Sequence, residues 1–236
     1  MSTDTSPLPL PPSPLDTWPP AWTPAAAIFD CDGLLVDTEG HWVALQDRYL
    51  ARHGATLDPA TRRAITGRAV ETVVVTIGEA VGKDPYAVGE ELLEEHRQTL
   101  GGEIAPIPGA LETLRAVAAV RPVAVASNSP RDLLDTTLAS LGITDLIDAS
   151  VSVEDVATPK PAPDMYLTAA AALGADPADC LGFEDSETGA EAALAAGLQL
   201  IAVPSISGQE PRAPRRLDSL ADPVLTSWIA GWESLR

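Results

Sequence analysis

From residue 110 onward the chain alternates between helical pattern and short apolar run. Three of those helices stop at a glycine, at Gly142, Gly174 and Gly197. The apolar runs are PVAVAS (122–127), a short stretch near 149–153, DCLGFE (179–184) and LQLIAV (198–203). A further run, Ala25 to Phe29, stands alone earlier in the chain. Strands of this length between helices cannot form hairpins with one another. They form a parallel sheet with helices packed over it. The spacing predicts helices over 110–119, 131–141, 164–173 and 188–196, each leading into the next strand.

Between the first strand and this alternating block the pattern is helical only. Trp42, Leu45 and Tyr49 recur at helical spacing within 40–53, with Gly54 as a C-cap. Val70, Val73, Val74, Ile77 and Val81 mark a second helix, and 86–100 a third. APIPG (105–109) closes the stretch. The expected organisation is an α/β core from residues 25–38 and 106–236, interrupted by a helical insertion at 39–105. Residues 1–24 are rich in Pro, Ser and Thr and read as a disordered or polyproline-like tail, docked through Trp18 and Trp22.

In open parallel sheets ligands bind beyond the carboxyl ends of the strands. Polar residues follow four strands there: Asp30 and Asp32, then Ser127 and Asn128, then Lys160, then Glu184 and Asp185. Asp30 is placed to be a nucleophile or a metal ligand. A divalent cation removes the repulsion between a carboxylate and a phosphate dianion. Glu184 and Asp185 supply further hard oxygen ligands. Asp32, two residues on, suits general acid–base work or a second ligand role. Gly33 permits a sharp turn after it.

Ser129 reads as an N-cap and Pro130 as a first helical residue. The helix start and the Ser127 hydroxyl are available to an anion. Lys160, in TPKPAPD, is a counter-ion for phosphate. Asp37 reads as a loop anchor, Thr38 and Glu39 as hinge positions, and Ser186 as a cap or part of the metal shell. His41, His53 and His96 show no ligand spacing and read as solvated or capping.

The net charge of −19 disfavours nucleic acid and anionic membranes as partners. No apolar run approaches the ~20 residues of a membrane span. Two cysteines, Cys31 and Cys180, form no ligand cluster. With no secretory leader pattern, the expectation is a reduced, cytoplasmic protein.

DCDGLLVDTE (30–39), SNS (127–129), KPAPD (160–164) and GFEDSETG (182–189), in this order, resemble the haloacid dehalogenase-like superfamily of phosphotransferases. The likeness extends from residue 25 to about 205. The insertion is similar to the helical cap of the subgroup containing β-phosphoglucomutase and small sugar-phosphate phosphatases. The resemblance implies a Rossmann-like core and a cap that opens and closes. It implies Mg²⁺ held by Asp30, the backbone carbonyl of Asp32 and Asp185, with Glu184 in or beside that shell. It further implies transient phosphorylation of Asp30, acid–base catalysis by Asp32, and a phosphoryl group held by Ser127, Asn128 and Lys160.

Asp32 and the Glu184/Asp185 pair argue against a dehalogenase proper. The subgroup's mutases carry a His and an Arg where this chain has Trp42 and Val70, which favours a phosphatase over a mutase. An intact set of motifs disfavours a non-catalytic phosphate sensor. A monomer acting on a small phosphorylated substrate is expected, with Arg68, Trp42 and Arg131 as cap and rim contacts.

Overall fold

The computed structural model describes residues 9–65, 70–100, 105–205 and 209–233. Its centre is a six-stranded sheet ordered β3-β2-β1-β4-β5-β6, parallel at every pairing. The strands are β1 (Ala26–Phe29), β2 (Val123–Ala126), β3 (Ala149–Val151), β4 (Cys180–Glu184), β5 (Gln199–Ala202) and β6 (Arg215–Arg216). β1, β2 and β4 are buried at every position, as strands covered on both faces must be.

Alternate residues feed two cores. Ala27, Phe29, Val123 and Val125 pack beneath α5 (Ala110–Ala118), α6 (Arg131–Ser140) and α9 (Pro223–Ala230). Ala26, Ile28 and Ala124 pack beneath α7 (Asp164–Ala172) and α8 (Glu187–Ala195). The strand order reverses at β1, with β2 on one side and β4 on the other. The crevice at that switch point is where such sheets bind ligands.

Between β1 and α5 run α1 (Thr38–Arg52), α2 (Pro59–Ile65), α3 (Val70–Val81) and α4 (Pro85–Leu100). They carry a core of their own, built on Leu45, Tyr49, Leu50, Val73, Ile77, Val88 and Leu92. α1 starts two residues before the expected position because Asp37 caps it, accepting from the Gly40 amide at 2.9 Å. α2 escapes the sequence pattern since only Ile65 in it is buried. β6, two arginines long, has no apolar signature.

The N-terminal segment departs from expectation. Ser13 caps a 3-10 turn over Pro14–Asp16 in a full capping box. Leu15 is 0% exposed and belongs to the sheet's core. Ser13 Oγ donates to Gln199 Oε1 at 2.7 Å, and Arg215 donates to the Leu15 carbonyl at 2.9 Å. Trp18 packs edge-on against Trp228 at 5.5 Å, and the Trp22 carbonyl accepts from Trp228 Nε1 at 3.3 Å. Residues 9–24 are therefore a strap on the core and not a disordered tail, docked through Trp18 and Trp22 as expected, while residues 1–8 lie outside the described residues. One buried leucine and two docked tryptophans outweigh the ordering entropy, which the prolines already reduce.

Candidate active site

The chain leaves β1 at Asp30, whose amide donates to the Phe183 carbonyl at 2.9 Å. It then doubles back, Gly33 donating to the Val36 carbonyl at 2.8 Å. Gly33 has φ 88°, and a Cβ there would lie 2.2 Å from Asp185 Oδ2. Only glycine meets both conditions.

Asp30 is buried. Its Oδ1 accepts from Lys160 Nζ at 2.6 Å, while its Oδ2 has no hydrogen-bond partner. Lys160 Nζ also donates to Glu184 Oε1 at 2.7 Å and to the Ala126 carbonyl at 2.9 Å. All three ammonium donors are thus committed. Burial acts to lower the Lys160 pKa, but Asp30 and Glu184 outweigh it and hold the ammonium well above its ordinary value.

Glu184 is saturated. Oε1 accepts from Lys160 and from Tyr166 OH at 2.6 Å. Oε2 accepts from the Asp185 amide at 3.1 Å, the Ser186 amide at 3.2 Å and Ser186 Oγ at 3.1 Å. A Cβ at Gly189 would lie 1.7 Å from Oε1, so the helix following β4 is shaped around this carboxylate. Ser186 also caps α8, as its sequence position suggested.

Asp30, Glu184 and Asp185 bring carboxylate oxygens within 4.8 Å of one another. Three carboxylates against one ammonium leave two negative charges. Burial first, then Glu184, push Asp30 well above the ordinary carboxylate range. The same two causes push Asp185 up to about 7. A divalent cation taking oxygen ligands fits this set: three carboxylates converge within reach of one ion, and it matches the charge they leave. Asp185 Oδ2 is oriented by Ser205 Oγ, a partner that no sequence signal marks.

Asp32 Oδ2 accepts from Ser127 Oγ at 2.6 Å and Ser129 Oγ at 2.8 Å. Ser129 is therefore not the N-cap of α6, which starts from Pro130 without a side-chain cap. Its hydroxyl donates to the acid instead. Asn128 does more than expected. Its Oδ1 accepts from the Lys160 amide at 3.0 Å and its Nδ2 donates to the Lys160 carbonyl at 3.2 Å. Both ends of the amide brace the Lys160 backbone, and the second N–H of Nδ2 is the donor left to meet a phosphoryl group.

Of the expected rim residues, Arg68 lies outside the described residues. Arg131 is committed elsewhere, to Asp135 at 3.0 Å, Ser150 Oγ at 2.7 Å and Asp155. These contacts fasten α6 to β3 and to the turn that follows it, where a rim contact to substrate was expected. Trp42 stands edge-on to His96 at 5.4 Å, and His41 is 5.5 Å from the same ring. His96 is thus neither solvated nor capping. Burial, then His41, lower its pKa to about 4, against an opposing pull from Asp32. His53 does serve the α1 C-terminus, its Nδ1 lying 2.9 Å from the Tyr49 carbonyl.

Residues 24–197 match the family model of haloacid dehalogenase-like hydrolases. The chain is 31% identical over 182 residues to fructose-1-phosphate phosphatase YqaB of Escherichia coli K12, covering 76% of this chain and 96% of that protein. It is 33% identical over 211 residues to hexitol phosphatase B of the same organism, covering 84% and 93%. The fold superposes on a putative β-phosphoglucomutase from Thermotoga maritima with TM-score 0.74, at 24% identity, over 88% of this chain and 99% of that one. With acids, lysine and serines gathered at one switch point of such a sheet, and with phosphatases among its relatives, the chain belongs to the haloacid dehalogenase-like hydrolase family.

Proposed function

We propose that the protein is a Mg²⁺-dependent phosphatase that hydrolyses a small phosphomonoester, a sugar phosphate, through an aspartyl-phosphate on Asp30. The observation that carries this reading is the Asp30 carboxylate itself. One oxygen is pinned by Lys160 at 2.6 Å, and the other is buried with no hydrogen-bond partner. A carboxylate so held cannot rotate away, and its free oxygen is the nucleophile.

Asp30, the backbone carbonyl of Asp32 and Asp185 would hold the cation, with Glu184 positioning them. When bound, Mg²⁺ offsets the repulsion between the acids and the phosphate dianion. Asp30 Oδ2 attacks phosphorus and the bond to the leaving oxygen breaks. Asp32, aimed by Ser127 and Ser129, delivers the proton that oxygen needs. Asp32 then takes a proton from water, which attacks the aspartyl-phosphate and returns Asp30 as a carboxylate. Lys160 neutralises charge on the phosphoryl oxygens and is kept in place by Asn128 and Glu184.

Residues 39–105, with their separate core, are proposed as the cap that covers this reaction, and 25–38 with 106–236 as the catalytic core. Neither Trp42 nor the exposed Val70 offers the ionic grip a mutase needs on a bisphosphate. Phosphate release from a panel of phosphomonoesters, including β-glucose 1-phosphate, tests the reading. Release that requires Mg²⁺ and disappears in Asp30→Asn is expected. Conversion of β-glucose 1-phosphate to glucose 6-phosphate without release would replace it with a mutase.

A further inference from the structure

The phosphatase reading gives no role to the aromatic group at the junction of insertion and core. His41 and Trp42 lie in the opening turns of α1, and His96 near the end of α4. The three rings meet at 5.4 and 5.5 Å. Next to His96, Arg97 reaches across to Asp132 at 3.4 Å, in the first turn of α6. That turn directly follows Ser127 and Ser129, which hold Asp32. The end of α4 is thereby tied down on the side of the site where Asp32 stands. In the proposed chemistry Asp32 protonates the leaving oxygen, so this is the side on which the leaving group sits.

We infer that His96, flanked by His41 and Trp42, is the residue through which the helical insertion selects the leaving group, and that it selects an uncharged polyhydroxy group over one bearing a second anion. The inference rests on the phosphatase reading. A neutral imidazole offers one donor and one acceptor, the complement of a hydroxyl, which is also both. The half-buried setting of His96, against the rings of His41 and Trp42, disfavours its protonation at neutral pH. Arg97, the cation beside it, is committed to Asp132 and, at 3.9 Å, to Glu94. A carboxylate or second phosphate on the leaving group would meet Asp32 with no counter-charge from these rings.

The test compares three substrates on the intact protein with Mg²⁺: p-nitrophenyl phosphate, a hexitol 6-phosphate and phosphoglycolate. Unaltered enzyme should prefer the hexitol phosphate to phosphoglycolate. His96→Ala should lower kcat/KM for the hexitol phosphate about tenfold more than for p-nitrophenyl phosphate, chiefly through KM. His96→Gln, which keeps a donor and an acceptor, should recover part of the loss. His96→Lys should move the ratio about tenfold towards phosphoglycolate. Equal changes on all three substrates, or a wild-type preference for phosphoglycolate, would overturn the inference while leaving the phosphatase reading in place. Failure of the unaltered enzyme to hydrolyse p-nitrophenyl phosphate would overturn that reading and the inference with it.

Discussion

Glu184→Gln should unfold the site more than it weakens the cation's grip. The carboxylate accepts from Lys160 Nζ, Tyr166 OH, the Asp185 and Ser186 amides and Ser186 Oγ, every one of them a donor. A glutamine presents an NH₂ at one of its two positions. Turned towards Oε2 it faces two backbone N–H groups; turned towards Oε1 it faces an ammonium and a phenol. Neither orientation is satisfied. Losing a charge-assisted bond to Lys160 costs roughly 1.5–3 kcal/mol, and each buried donor left unmade about 1–3 kcal/mol.

Relief of repulsion on Asp30 and Asp185 offsets part of this loss. The offset is partial because Asp185, pushed up to about 7, is already half protonated near neutrality in the metal-free protein. The net expectation is about 3 kcal/mol, which for a chain of this size lowers Tm by roughly 6–12 °C. Thermal melts of metal-free protein and Mg²⁺ titrations on the same samples separate the two roles. A variant within about 1 kcal/mol of wild type, with its Mg²⁺ requirement raised many-fold, would refute the reasoning and make Glu184 a ligand.

Asp32→Asn should slow turnover of a sugar phosphate by about 10²–10⁴, with a smaller loss on p-nitrophenyl phosphate, whose leaving group needs no proton; steady-state kinetics on both measures this. Asp185 carries a folded-state pKa raised from 3.8 to about 7, so its stabilising share is full at low pH and lost as pH rises through about 7. Metal-free protein should therefore lose Tm from about pH 4, the unfolded pKa, up to about pH 7, the folded one, and the gain in Tm on adding Mg²⁺ should grow over the same window; a pH-independent gain would contradict this. Leu15→Ala should cost about 2–5 kcal/mol in urea denaturation, because the side chain is 0% exposed within the sheet's core; a loss below about 0.5 kcal/mol would mean that the strap is not part of the cooperative unit.

The sequence made the sheet legible through its short apolar runs and the glycines that end three of its helices, and β1 to β5 fall inside those runs while β6 does not. The acids, Ser127 and Lys160 were legible because strand ends can be located and polar residues follow them. What escaped notice lacks any one-dimensional trace. Tyr166 reads as one more apolar position of α7, yet its hydroxyl meets Glu184 at 2.6 Å. Ser205 follows β5 in a stretch with no acid to mark it, yet it holds Asp185.

Ser129 was found but misassigned, and Asn128 was found without its role as a brace for Lys160. A serine before a proline has the form of a helix cap, and only the third dimension puts Asp32 within 2.8 Å of it. The N-terminal segment misled through composition. Proline and serine imply disorder only when no apolar anchor competes, and Leu15, buried beside the docked Trp18, is such an anchor. His96 stands far in sequence from His41 and Trp42, so no spacing rule links the three.

The most direct measurement is mass spectrometry of protein quenched in acid during turnover of p-nitrophenyl phosphate. The Asp32→Asn variant serves here to slow dephosphorylation. The account predicts one added phosphoryl group, located on the peptide that carries Asp30 and absent from Asp30→Asn. Phosphate release without any labelled protein, and persisting in Asp30→Asn, would contradict it, since water would then attack the substrate directly.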